Sequence, residues 1–229
     1  MHKGTGKVSE IFLEAGAAAR IECPETLIPA PGQYVHAYAI GSNAPLPFAL
    51  FPSGPIASNP IASGSIASGL STGGFLAAPP IPAEWIPGTR LILRGPLGKG
   101  FRLPRTARRI ALIGLDHSPG RLLALIGPAI DQDAAIALAS DNAPANLPLA
   151  MEIIPLSSLT ELLNWADYAA IDLPRDQLPQ IATLRLPAET QVLIHTSMPC
   201  GALAECGACA ITVKRGWKLA CKDGPVFDL

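Results

Sequence analysis

Four of the five cysteines in this 229-residue chain, Cys200, Cys206, Cys209 and Cys221, fall within 22 positions in the spacing C-x5-C-x2-C-x11-C. Thiols this close in sequence serve either as disulfide partners or as ligands converging on one centre. No apolar h-region follows Met1-His2-Lys3-Gly4-Thr5-Gly6-Lys7, so the chain reads as a cytoplasmic protein whose clustered cysteines are metal ligands. The segment from 196 to 229 must then fold as a loop closed by a hairpin, with Cys221 returning to the other three. Cys23, in the strand-like run Arg20-Ile21-Glu22-Cys23, is expected to be a small buried apolar residue.

The rhythm of apolar residues divides the rest of the chain. Residues 10–14, 19–23, 32–38 and 89–94 read as short strands punctuated by Pro and Gly, the pattern of an antiparallel barrel or sandwich. Within this first part, Pro55-Ile56-Ala57-Ser58, Pro60-Ile61-Ala62-Ser63 and Ser65-Ile66-Ala67-Ser68 recur with a period of five. That period matches neither strand nor helix, so an extended loop or hairpin is expected. From Arg109 onward the runs 110–114, 135–139, 152–154, 168–171 and 191–195 read as buried parallel strands. Helices are expected between them at 119–130 and 158–165, which makes an α/β domain of about ninety residues. The expected divisions are 1–105 (with a low-complexity insert at 53–82), 106–195 and 196–229.

Charge excludes several functions. Seventeen Lys and Arg against 18 Asp and Glu leave a net charge of −1, without the basic excess of a nucleic-acid binder. Residues 26–83 contain no Asp, Glu, Lys or Arg. Pro, Gly and Ser interrupt that stretch too often for the roughly 20 continuous apolar residues of a membrane-spanning helix. It reads instead as buried strands and a surface covered by a partner. No catalytic triad, paired-carboxylate site or P-loop appears.

Spacing alone leaves two chemistries open for the cysteines. Plant-type [2Fe–2S] sites use C-x4-C-x2-C with a distant fourth Cys, whereas a structural zinc site also uses the C-x2-C pair but normally uses it twice. Gly201 and Gly207, beside ligands, would let backbone amides approach the sulfurs.

The run Cys221-Lys222-Asp223-Gly224-Pro225-Val226-Phe227 resembles the C-terminal end of the electron-transfer subunit of class 1B dihydroorotate dehydrogenase. Gly95-Pro96-Leu97-Gly98-Lys99-Gly100-Phe101 and Pro31-Gly32-Gln33-Tyr34-Val35 are similar to two further motifs of that family. The resemblance implies a ferredoxin-reductase-like fold: an N-terminal antiparallel barrel of FAD-binding type, a small parallel-sheet α/β domain of NAD-binding type, and a C-terminal [2Fe–2S] module. It further implies Cys200, Cys206, Cys209 and Cys221 as iron ligands and an electron-transfer role in pyrimidine biosynthesis. The implied partner is an FMN-containing dihydroorotate-dehydrogenase-like catalytic subunit, or another oxidoreductase, in a hetero-oligomer. The first cysteine loop is one residue longer than the common family spacing.

Two of the family's sites are altered. Its flavin motif, Arg-x-(Tyr or Phe)-(Ser or Thr), corresponds to Leu46-Pro47-Phe48-Ala49. Pro47 and Phe48 are carried over as flavin contacts, while the Arg and the hydroxyl are lost. Gly73 and Gly74, an echo of the family's Gly-Thr pair, are expected to offer backbone amides to a phosphate. FAD is thus expected only with a substitute for the missing Arg. The Gly-rich dinucleotide turn corresponds to Gly114-Leu115-Asp116-His117-Ser118-Pro119-Gly120. There Asp116 would repel phosphate and the paired glycines are absent, so NAD(P)H binding is not expected. His117 and His195 are expected to be structural rather than ligands. The alternatives are a complete FAD/NAD(P)H-dependent reductase and a non-redox assembly subunit with a four-cysteine zinc site.

Overall fold

The computed structural model describes residues 1–13, 17–44, 46–54, 73–115, 118–144, 147, 151–213 and 216–229, the side chain of Val213 excepted. The Ile-Ala-Ser repeats, Asp116 and His117 lie outside the described residues.

The N-terminal part forms an antiparallel half-barrel. Its strands are β1 (His2–Phe12), β2 (Ala18–Glu22), β3 (Tyr34–Ala39), β4 (Phe48–Leu50), β5 (Gly74–Ala77) and β6 (Arg90–Leu97), in the order β4-β3-β6-β1-β2-β5. Strand alternation fixes the two faces. Val35 and Ala37 of β3 and Leu91 and Leu93 of β6 point into a core with Val8, Ile21, Cys23, Leu50 and Trp85. Cys23 is buried as expected, and burial pushes its thiol up to about 11. On the other face of the same strands, His36 stands opposite Arg94 and the exposed Tyr38 opposite Ile92, and the cysteine segment rests on the His36–Arg94 pair.

The second sheet contains β7 (Arg109–Gly114), β8 (Ala135–Ala139), β9 (Met151–Ile154), β10 (Tyr168–Pro174), β11 (Glu189–His195) and β14 (Val226–Asp228), in the order β14-β11-β10-β7-β8-β9. The first five run parallel, and β14 pairs antiparallel with β11. The central strands β7 and β10 are buried on both faces, which is why they read as continuous apolar runs. The helices are short: α1 (Ile126–Asp131), α2 (Leu159–Trp165), α3 (Leu178–Ile181) and α4 (Ala220–Asp223). The helix expected at 119–130 is confined to a 3-10 turn at Leu123–Leu125 followed by α1. Pro119, Gly120, Gly127 and Pro128 are poor helix formers, and burial of Leu122, Leu125 and Ile126 holds the segment instead. Among the described residues, no helix is long and apolar enough to cross a membrane.

The cysteine segment carries the hairpin β12 (Ala210–Val213) and β13 (Gly216–Leu219). Its tail then completes the α/β sheet as β14, so the 196–229 segment is woven into the 106–195 segment. The three sequence motifs meet at this point. The Lys99 amide donates to the Gly224 carbonyl at 2.5 Å, Lys99 bridges to Pro225, and the Gln33 side-chain amide donates to the Gly98 carbonyl at 3.2 Å. The Gly-Pro steps of two of these motifs, Gly95–Pro96 and Gly224–Pro225, are cis.

Gly98 holds φ at +73°, and a Cβ there would lie 2.6 Å from Pro225 Cδ and 2.7 Å from the Gly224 carbonyl oxygen. Gly98→Ala is therefore expected to cost at least ~1–2 kcal/mol through left-handed strain plus overpacking. Thermal denaturation should fall by roughly 2–4 °C per kcal/mol for a chain of this size, and an unchanged melting temperature would show that the motifs do not press on one another.

Candidate metal centre and adjoining cavity

The four cysteines come from three local structures. Cys200 follows β11 after a short loop. Cys206 lies at the outer edge of the loop, Cys209 directly precedes β12, and Cys221 sits in α4. The loop turns on three left-handed residues: Gly201 at φ 50°, Ala202 at 65° and Gly207 at 75°. The structure brings the sulfurs together as two pairs, Cys200 with Cys206 at 3.5 Å and Cys209 with Cys221 at 3.2 Å. Within the second pair the Cys221 amide also approaches Cys209 Sγ at 3.5 Å.

Burial grades across the four. Cys209 and Cys221 are buried, Cys200 is half-buried and Cys206 is exposed. Burial, followed by the neighbouring Cys209, pushes the Cys221 thiol up to about 12. At Cys200 burial also acts upward, but hydrogen bonds from the surrounding backbone and Cys206 outweigh it and bring the thiol down to about 7. Lys222 and Glu205 pair at 3.5 Å in the open, a contact worth little.

This donor set fits a two-iron cluster. Two thiolates on one tetrahedral metal at about 2.3 Å stand about 3.8 Å apart, near both observed pair distances. A [2Fe–2S] centre takes four thiolates, two on each iron. Among the described residues, no three or more His, Cys, Asp or Glu side chains gather as a single metal ion would require.

The sulfurs rest on residues from both domains. Tyr34, Phe51, Leu97, Leu193, Met198 and Val226 pack with Cys209 and Cys221 in one apolar cluster. The Tyr34 hydroxyl donates to the Cys221 carbonyl at 3.3 Å, and burial holds that phenol well above its usual range. Arg94 is buried beneath the loop, where its Nη2 donates at 3.0 Å to the carbonyls of Cys200 and Gly201 and to His36 Nδ1. Burial first, and then the charge of Arg94, lowers His36 to about 4, so its ring is neutral at pH 7. The sequence reading missed Arg94 and His36. Their signal was positional: Arg94 stands directly before one recognised motif and His36 directly after another, both at outward strand positions.

A cavity of about 730 Å³ adjoins the centre. Leu46, Pro47, Phe48, Ala49, Phe51, Pro79 and Pro80 form one wall, and Ser118, Arg121, His195, Thr196, Ser197, Met198 and Pro199 form the other. Pro199 directly precedes Cys200 in the chain. The structure thus brings Pro47 and Phe48 to the cavity, with Phe48 packed edge-on against Trp85 at a centroid distance of 6.2 Å. Gly73 and Gly74 do not line it. They pair with β2, where the Gly73 carbonyl accepts from the Cys23 amide at 3.0 Å and a Cβ on Gly74 would strike the Ile21 carbonyl. The apolar wall suits a planar ring system. For a diphosphate, the cation among the described lining residues is Arg121, which donates through Nε to Asp172 at 2.8 Å and lies 6.0 Å from the Phe51 ring.

Comparison with known proteins agrees with this architecture. Residues 195–229 match the family model described as the iron-sulfur cluster binding domain of dihydroorotate dehydrogenase B. Among solved structures, the chain is similar to one reported for flavin-based electron bifurcation by the NADH-dependent reduced ferredoxin-NADP oxidoreductase. The TM-score there is 0.70 at 16% identity, covering 97% of this chain and 87% of that one. It is also similar to the ferredoxin reductase in carbazole 1,9a-dioxygenase, with TM-score 0.54 at 15% identity, covering 79% of this chain and 62% of that one. A third is the flavohem-like FAD/NAD binding domain of nitric oxide dioxygenase from Vibrio cholerae O1 biovar El Tor, with TM-score 0.51 at 12% identity, covering 83% and 98%. At these identities the structural likenesses establish the ferredoxin-reductase-like fold. With the matched C-terminal domain, they support a protein like the electron-transfer subunit of dihydroorotate dehydrogenase B, carrying an iron–sulfur cofactor.

The Arg121–Asp172 pair is almost fully buried, with side-chain exposures of 6% and 0%. Breaking a buried pair by removing one partner is costly, so Asp172→Asn is expected to destabilise by about 3–5 kcal/mol. The double replacement Arg121→Met with Asp172→Leu should cost less than Asp172→Asn alone, as measured by denaturant unfolding. The reverse order would show that the interaction itself, rather than the desolvation of one remaining charge, dominates the cost.

Proposed function

We propose that the chain is the electron-transfer component of an oxidoreductase complex, holding one [2Fe–2S] cluster through Cys200, Cys206, Cys209 and Cys221. The observation that carries this reading is the pairing of four thiols, two by two, under backbone amides at the junction of the two domains. A cluster bound there supplies a one-electron carrier. The residues divide the remaining work. Tyr34 and the tail strand fix the buried ligands Cys209 and Cys221, while Cys206 leaves one edge of the centre open to solvent, where a redox partner can approach.

The adjoining cavity is the proposed flavin site. Pro47 and Phe48 would bear on the ring from the barrel side, with Met198 and Pro199 opposite, a few residues from the first cysteine ligand. Such proximity suits exchange of electrons between a flavin and the thiolate-bound centre. Gly73 and Gly74 are left out of the proposed site because they do not line this cavity. The matched domain comes from dihydroorotate dehydrogenase B, which supports a catalytic subunit of that kind as the partner. The exposed side chains of Tyr38, Ile40 and Leu46, all within the charge-free stretch, are candidate contacts for it.

The test is protein purified without oxygen. About two irons and two sulfides per chain are expected, with Cys206→Ala losing the visible absorption. Zinc in place of iron would overturn the electron-transfer reading. Added FAD or FMN should bind the iron-loaded protein. Phe48→Ala should weaken that binding at least tenfold with iron content unchanged, and flavin binding indifferent to Phe48 would place the flavin elsewhere.

A further inference from the structure

Arg94 stands at an outward position of β6, the face of a strand that normally meets water, yet it is only 9% exposed. The cysteine loop covers it. No carboxylate pairs with it among the described residues, and its cross-strand neighbour His36 is held neutral, so a full positive charge remains under the loop. A buried cation without a counter-ion is costly, and hydrogen bonds to neutral carbonyls only partly offset that cost.

The direction of those hydrogen bonds indicates what completes the balance. Arg94 takes the carbonyls of Cys200 and Gly201, each at 3.0 Å. In a trans peptide the C=O and the following N–H point in opposite directions. Turning the Gly201 carbonyl toward Arg94 therefore turns the Ala202 amide to the opposite side of that peptide. The guanidinium thus fixes the orientation of the two peptides that follow the first ligand. Gly201 is needed for this approach, because a Cβ there would run into Arg94 Nη2 and the His36 ring.

We infer that Arg94 is the buried counter-charge of the cluster, a positioning residue that clamps the first-ligand loop and favours the reduced state. This rests on the iron–sulfur reading given above. A centre held by four thiolates is anionic and becomes more so when it accepts an electron. A fixed cation held on the carbonyls of Cys200 and Gly201, within the loop of the first ligand, stabilises that added charge.

The experiment is the midpoint potential of the anaerobic, iron-loaded full chain, followed by electron paramagnetic resonance in a dye-mediated titration. Wild type, Arg94→Gln and Arg94→Lys are compared, with iron retention under chelator measured alongside. Gln keeps amide donors for the two carbonyls but removes the charge; Lys keeps the charge. Arg94→Gln is expected to lower the one-electron equilibrium constant for reduction at least tenfold, which is 59 mV. Arg94→Lys should stay within about threefold of wild type. If Arg94→Gln cannot hold iron while Arg94→Lys keeps both iron and potential, the inference is likewise supported. Equal potentials in all three proteins, or equal falls in both variants, would overturn it while leaving the iron–sulfur reading intact. A wild-type protein that takes up no iron overturns both.

Discussion

The centre depends on how the chain segment after Cys221 is gripped. That segment makes a main-chain hydrogen bond to Lys99 of the barrel, accepts one from the Tyr34 hydroxyl, and enters the α/β sheet beside β11. The fourth thiol is thus held by two domains at once, while the first three come from a loop that begins where β11 ends. Strands β11 and β14 are neighbours in the sheet, so the start of the loop and its end are set side by side by the ladder. The loop between them needs only the left-handed turns at Gly201, Ala202 and Gly207 to fold its sulfurs inward.

The same junction explains why an apolar cluster of Tyr34, Phe51, Leu97, Leu193 and Val226 surrounds Cys209 and Cys221. Water is kept from one side of the site and admitted on the other. Low polarity raises the weight of every remaining charge, which is why one arginine on the barrel and one Arg–Asp pair at the cavity wall matter more here than the exposed Lys222–Glu205 contact.

Much of this was legible in the sequence, for identifiable reasons. The buried parallel strands β7, β10 and β11 carry uninterrupted apolar runs, and the cysteine spacing confined the donor set to four residues. The strands β4 and β5 were not read, being three or four residues long and set among Pro and Gly. Helix α1 starts later than its apolar pattern suggested, because Pro128 has no N–H to donate to a preceding turn and so sits in the first turn of the helix, with tertiary burial deciding the residues before it. The glycine pair 73–74 looked like a phosphate cradle but serves close strand packing. A lone glycine pattern does not distinguish these two uses of a missing Cβ. Arg94 was invisible as a site residue, since an Arg at an outward strand position is ordinarily a solvated one and only the tertiary fold brings a loop from 106 residues away onto it.

The insertion of β14 beside β11 also orders the making of the molecule. During synthesis the barrel and the five parallel strands emerge before Cys221 does, and they can settle while three of the thiols are still without the fourth. Metal delivered at that stage would meet an incomplete donor set on an open loop. The edge of β11 acts in effect as a reserved berth: the centre closes only when the tail docks there. In this arrangement the fourth thiol joins the other three only through a tail that is itself a strand of the second sheet.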